Sequence, residues 1–286
     1  MRILLTGATG YIGSAVLDEL LAAGHEVDAV VRSGASAAAV AARGARAVEG
    51  DLSDAAWLAS ALTDVDAAIH AAAPETGADA LNAAVVDAAI AAFAGTDRRF
   101  VLTSGVWVFG AGDALTEDGP LDAPDLVAWR VPLEERLLAS GVSATVLAPA
   151  VVYGGDRGLL SLITDGPRTE SGALTLVGDG TQRWTWVHVD DLARLYRIVV
   201  EHPEGQGRVL GVDGSSPTVR EIAETVAGPA GVVAETAEAT RARLGVAFAD
   251  ALLLDQAASG AKARSLGWEP RHTSVLDELV REASAA

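Results

Sequence analysis

The 286-residue chain has no cysteine, a single lysine (Lys262) and only three tyrosines, Tyr11, Tyr153 and Tyr196. The missing cysteines exclude disulfides, thiolate metal sites and thiol nucleophiles, and nothing calls for an oxidising compartment. Basic positions other than Lys262 are arginine. No His/Asp/Glu spacing suggests a metal site, and no Gly-x-Ser-x-Gly nucleophile elbow occurs. Charges or glycines interrupt every apolar run before it reaches the length of a membrane span. The opening Met1-Arg2-Ile3-Leu4-Leu5 enters a glycine turn directly, without the apolar region of a signal peptide. The formal charge of −18 repels polyanions, so nucleic acid and anionic membranes are poor partners and the acidity serves solubility. The expectation is a cytoplasmic protein.

Half of the residues are hydrophobic, enough for a sizeable core. Strand and helix signals alternate through the first half. Short apolar runs at 3–5, 26–31, 46–48, 67–70, 100–103 and 144–147 are separated by helical stretches at 11–23, 35–43, 54–62 and 78–93. Such alternation predicts a parallel sheet covered by helices on both faces. After Tyr153 the pattern loosens and glycines become frequent. A strand is predicted over 184–189, and helices over 190–201, 218–226 and 274–283. The fold class expected is α/β, a Rossmann-type doubly wound parallel sheet with a smaller C-terminal substrate lobe. Residues 1–152 plus about 182–205 are assigned to the sheet domain, and about 153–181 plus 206–286 to the lobe.

The turn Thr6-Gly7-Ala8-Thr9-Gly10-Tyr11-Ile12-Gly13 has the context a dinucleotide loop requires: a strand before it and an amphipathic helix after it. Gly7 permits the tight turn, Gly10 lets the backbone approach a pyrophosphate, and Gly13 lets the helix pack close to the strand. The N–H groups at the helix start then meet the phosphate charge.

The Gly-x-x-Gly-x-x-Gly spacing resembles the short-chain dehydrogenase/reductase superfamily, in its extended or atypical branch of epimerase/dehydratase-like proteins. The resemblance runs along nearly the whole chain. Glu49-Gly50-Asp51-Leu52 is similar to the segment where the family's aspartate meets adenine, which marks Asp51 and Leu52. Asp66–Ala73 is similar to the fourth strand and the small-residue turn under the cofactor, which marks Ala71, Ala72 and Ala73. Asn82 sits where the family often has a helix asparagine. Pro149–Gly154 resembles the stretch beside the nicotinamide, which marks Pro149 and Val152. Val187–Ala193 and Ala261–Pro270 resemble two further signatures of the extended branch. Homodimerisation through 78–93 and 131–138 is expected from the same resemblance.

NAD-binding members end the second strand with an acid that bonds the ribose 2′-hydroxyl. Here that slot falls near Val31 and is followed by Arg32 and Ser33. Arg32 suits a 2′-phosphate, so NADP is expected over NAD.

The resemblance also implies a Tyr-x-x-x-Lys pair, which the spacing places on one helical face. This chain cannot supply it. Matching 129–134 to the family helix puts Ala128 in the tyrosine slot and Pro132 in the lysine slot. Proline is at ease in a first turn, so the helix is expected to start or kink near Pro132. The upstream serine slot falls on Gly105, one residue from Ser104. The remaining candidates for chemistry are Ser104, at a strand end, Tyr153, and Arg130, which either orients an oxygen or pairs with Glu134 four residues on. His70 and His188 can transfer protons but lie in signatures that favour structural roles. Trp107, Trp129, Trp184 and Trp186 are candidate walls for an apolar or aromatic ligand; Trp184 and Trp186 share one strand face.

Three readings stay open on sequence. The first is an NADP(H)-dependent reductase of a small, aromatic or otherwise apolar molecule. The second is an epimerase, dehydratase, isomerase or cyclase that keeps its nicotinamide. The third is a binding protein that senses the dinucleotide.

Overall fold

The structure is a computed structural model that describes every residue except Glu75, Asp156 and Ala286, and side chains as far as Arg281. In the first half each apolar run becomes a strand and each following stretch a helix. β1 (Arg2–Thr6) leads into α1 (Tyr11–Ala22), β2 (Glu26–Val31) into α2 (Gly34–Ala41), and β3 (Arg46–Glu49) into α3 (Ala55–Ala61). β4 (Ala67–His70) leads into α4 (Ala78–Phe93), and β5 (Arg99–Thr103) passes through a short β6 (Gly112–Leu115) to α5 (Arg130–Leu138). β7 (Ser143–Pro149) and β8 (Val151–Tyr153) follow, then α6 (Ser161–Thr164), β9 (Leu174–Thr175), β10 (Trp186–His188), α7 (Val189–Glu201) and β11 (Gly207–Gly211). The remainder holds α8 (Val219–Val226), β12 (Val232–Val233), α9 (Ala237–Leu244), α10 (Val246–Leu252), β13 (Gln256–Ala258), α11 (Ala261–Ser265) and α12 (Val275–Ala285).

Seven strands form one parallel sheet in the order β11-β7-β5-β4-β1-β2-β3. Helices cover both faces, so Ile3, Leu4 and Leu5 are all buried and β1 reads as a continuous apolar run. On one face Val16, Leu17 and Leu20 of α1 and Leu192, Leu195 and Tyr196 of α7 pack with Ile3 and Leu5. On the other, Val85, Val86 and Phe93 of α4 and Leu133 and Leu137 of α5 pack with Leu4 and Phe100. The strand order reverses at β1 and β4. Open α/β sheets bind ligands in the crevice outside the strand ends at such a reversal.

A third core, with Tyr153, Leu174, Trp184, Trp186, Ile222 and Leu252, fills the smaller lobe. Two expected boundaries are corrected. Gly207–Gly211, assigned to the lobe, pairs along β7 and completes the sheet as its edge strand. Trp184 and Trp186, assigned to the sheet domain, belong to the lobe core because β10 pairs with β8 rather than with the large sheet.

The C-terminal signature is an anchor. Asp191 of α7 is fully buried, and its carboxylate accepts from the backbone N–H of Arg271 (3.0 Å) and of His272 (2.8 Å), from the His272 ring and from Arg194. The indole of buried Trp268 donates to the Asp191 carbonyl at 2.8 Å. Lys262 donates to the carbonyls of Gln206 and Arg208, both at 2.7 Å, along β11. The His188 side chain caps α7 by accepting from Asp190 N–H, the structural role expected of it.

Candidate active site

The glycine turn closes on itself: Gly10 N–H donates to the Gly7 carbonyl at 2.8 Å. Gly7 has φ +75°, and a Cβ there would lie 2.7 Å from the Ala71 backbone. A Cβ on Gly13 would lie 2.1 Å from the Gly7 carbonyl oxygen. α1 has no side-chain cap and no acid in its first turn, so its leading N–H groups are uncovered. An uncapped helix start behind a turn with no room for side chains is the cradle a pyrophosphate needs. Thr6 is turned inward instead: its hydroxyl meets His70 Nδ1 at 2.7 Å and accepts from Ala72 N–H. It braces the turn at Ala71, Ala72 and Ala73. Burial, then the Arg130 charge, outweigh an Asn82 contact and push the His70 imidazole down to about 4, so His70 is neutral at pH 7.

At the far end of the crevice, Arg32 is exposed just beyond β2. Ser33 caps α2, accepting from Ser36 N–H at 3.2 Å. The Ser53 backbone N–H, the Ser53 hydroxyl and the Arg32 charge hold the Asp51 carboxyl below its ordinary range. Leu52 is buried among Val30 and Leu58. Strand register also sets Glu49 opposite Val31, an acid that a count along β2 alone does not reveal. Trp57, missed from sequence, lies against Gly50, where an added Cβ would sit 1.9 Å from its ring.

Beside the glycine turn is a cavity of about 300 Å³ lined by Tyr11, Ile12, Ser104, Trp107, Val127, Arg130, Pro149, Val152 and Leu159, among others. The Tyr11 hydroxyl is committed, donating to the Gly154 carbonyl at 2.7 Å. Arg130 starts α5 two residues before Pro132, which sits in the first turn, where its missing N–H costs nothing. Of the two roles open to Arg130 on sequence, the pair with Glu134 does not form among the described residues. Arg130 donates to the Thr103 carbonyl at 2.9 Å and lies 4.5 Å over the Trp129 ring. Burial lowers the Arg130 pKa, with Glu134 and Tyr196 opposing. Glu134 instead accepts from Ser104 and from Arg208. Sequence reasoning named Glu134 only as a partner for Arg130. Its true partners lie 30 and 74 residues away, beyond any local spacing rule.

Three candidates are placed elsewhere. Tyr153 is fully buried in the lobe core, edge-on to Trp186 and His188. Burial pushes its phenol pKa up, and the hydroxyl has no hydrogen-bond partner among the described residues. Trp184 and Trp186 do share a face, 5.9 Å apart, but that face is the lobe core. Trp107 lines the cavity and packs edge-on to Phe248, while Trp129 supports Arg130 from beneath. Among the described residues there is no cluster able to hold a metal ion and no helix long and apolar enough to cross a membrane.

Comparison with known proteins gives a consistent frame. A family model described as NAD(P)H-binding matches residues 7–176. A Streptomyces 3-diazoavenalumate denitrifying reductase is 30% identical, over 99% of this chain and 100% of that protein. A UDP-glucose 4-epimerase from Mycolicibacterium smegmatis is 28% identical, over 95% of this chain and 94% of its own length. The solved structure of human epimerase family protein SDR39U1 with NADPH superposes with a TM-score of 0.75 at 24% identity, covering 100% of both chains. That of MoeE5 in complex with UDP-glucose and NAD gives 0.76 at 22% identity, again over 100% of both. The protein belongs to the NAD(P)H-binding family and carries the Rossmann fold of the extended short-chain dehydrogenase/reductase proteins.

Proposed function

We propose that the protein is an NADP(H)-dependent reductase of a small apolar or aromatic molecule. The cavity beside the glycine turn carries this reading: it is lined mainly by apolar groups, and its polar side chains able to meet a substrate are Ser104 and Arg130. The turn around Gly7, Gly10 and Gly13 and the open start of α1 hold the pyrophosphate. Arg32 pairs with the 2′-phosphate, in competition with neighbouring Asp51. Pro149 and Val152 form a wall beside the nicotinamide, which when bound supplies or takes a hydride. Trp107, Val127 and Leu159 exclude water from the reacting centre. Arg130 is partly buried and has no ion pair among the described residues, so its remaining N–H groups are available to orient a carbonyl or anionic oxygen. Relatives named as reductases support the same reading.

NADPH consumption with a panel of ketones, imines and enones tests the reductase. Failure across the panel with cofactor bound overturns it, and nicotinamide retained through purification without net turnover favours an internally redox isomerase. Arg32→Ala is expected to weaken NADPH binding about tenfold and leave NADH unchanged, measured by titration. Equal affinity of the wild type for both cofactors overturns the NADP assignment.

A further inference from the structure

Ser104 stands in the cavity wall, and its hydroxyl proton is already spoken for. Its Oγ donates to Oε1 of Glu134, whose side chain is 1% exposed. The second oxygen, Oε2, accepts from Nε of Arg208 at 3.1 Å. A guanidinium only donates and an ionised carboxylate only accepts. Arg208 therefore holds Oε2 in place, and Oε1 turns the Ser104 proton away from the cavity. Toward a ligand, Ser104 presents oxygen lone pairs alone.

We propose that Glu134 is a positioning residue that fixes Ser104 as an acceptor, so that the cavity selects ligands bringing an O–H group to Ser104: the alcohol member of an alcohol/carbonyl pair. The inference rests on the cavity being the substrate site, as in the reductase reading. In the oxidising direction the substrate hydroxyl proton passes to Ser104 Oγ while the Ser104 proton passes to Glu134 Oε1. The carbinol C–H electron pair leaves as hydride to oxidised nicotinamide, and the carbonyl forms. The reducing direction is the exact reverse and starts from protonated Glu134. The missing Tyr-x-x-x-Lys pair is thus replaced by a serine and a buried carboxylate contributed by two different elements.

Glu134→Gln reverses the polarity rather than merely weakening it. Arg208 still donates, so it captures the amide oxygen and leaves the amide N–H facing Ser104. The Ser104 proton is then released into the cavity, which favours a carbonyl. Isothermal titration of the protein loaded with a redox-inert tetrahydronicotinamide analogue of the cofactor, using benzyl alcohol and benzaldehyde, reads this directly, because no hydride can be taken up or given. Wild type is expected to prefer the alcohol about tenfold, the usual cost of one mismatched hydrogen-bonding group. Glu134→Gln is expected to invert the preference. Ser104→Ala, which leaves Glu134 and Arg208 paired, is expected to erase it. An unchanged ratio in both variants, or no binding of either probe to wild type, overturns the inference. A purely structural Glu134 would lower the melting temperature without inverting the ratio. Failure of the reductase reading shows separately, as an absence of NADPH turnover across the substrate panel.

Discussion

Gly13→Ala is expected to abolish dinucleotide binding and to lower the melting temperature. Alanine for glycine inside a helix ordinarily gains about 1 kcal/mol. Here the sign reverses, because the new Cβ falls 2.1 Å from the Gly7 carbonyl oxygen, a backbone atom that cannot swing aside. Relief requires α1 to move away from the turn. Overpacking of this kind costs about 1–3 kcal/mol of stability. The same movement withdraws the N–H groups of α1 from the phosphate, and NADPH affinity is expected to fall by at least about 100-fold. Gly10→Ala is the control. Its Cβ would lie 3.2 Å from the same oxygen, tight but tolerable. That variant is expected to melt close to wild type while losing affinity, because its methyl group occupies the space the pyrophosphate needs. Melting curves and NADPH titrations of the two variants separate packing from binding. A Gly13→Ala protein with wild-type melting and affinity contradicts the assignment of this turn.

Asp191→Asn is expected to be the most destabilising near-isosteric change in the molecule, by about 3–5 kcal/mol. The carboxylate is fully buried and accepts from two backbone N–H groups, a guanidinium and the His272 ring. An amide has one accepting atom for that set and brings two further donors into a site already crowded with donors. For a chain of this size the melting temperature is expected to drop by roughly 10 °C. The segment from Glu269 onward should loosen with it, seen as faster tryptic cleavage after Arg271. Burial alone would raise the Asp191 pKa, but the N–H groups of Arg271 and His272 and the Arg194 charge outweigh it and hold the carboxyl below its ordinary range. The unfolded chain binds the proton first as pH falls. The contribution is therefore complete above the unfolded value of about 3.9 and is lost as pH drops through the lower folded value. Denaturant melts below about pH 4 should show wild type converging on Asp191→Asn. Parallel curves at all pH values contradict the linkage.

What the sequence made legible was local. Gly7, Gly10 and Gly13 announced themselves because one turn contains all three, and strands β1 to β5 and β7 because parallel strands covered on both faces read as apolar runs, whereas β6, short and half-exposed outside the large sheet, gave no such signal. Trp184 and Trp186 were correctly set on one face, but alternation names the face and not its neighbour. Only the pairing of β10 with β8 turns that face into the lobe core. Gly207–Gly211 fell within the stretch assigned to the lobe, and its membership of the sheet comes from an edge position decided by chain topology. The Ser104–Glu134–Arg208 contact joins the residue that follows β5 to α5 and β11, and no spacing rule links residues that meet from three parts of the fold.

The tie between Lys262 and β11 has a practical consequence. Its ammonium is the only side-chain amine in the protein, and it is held by two strand carbonyls. Amine-directed footprinting of the side chains therefore has a single reporter. The acylation rate at Lys262 measures, as one mass shift, how often the C-terminal signature lifts from the edge of the sheet.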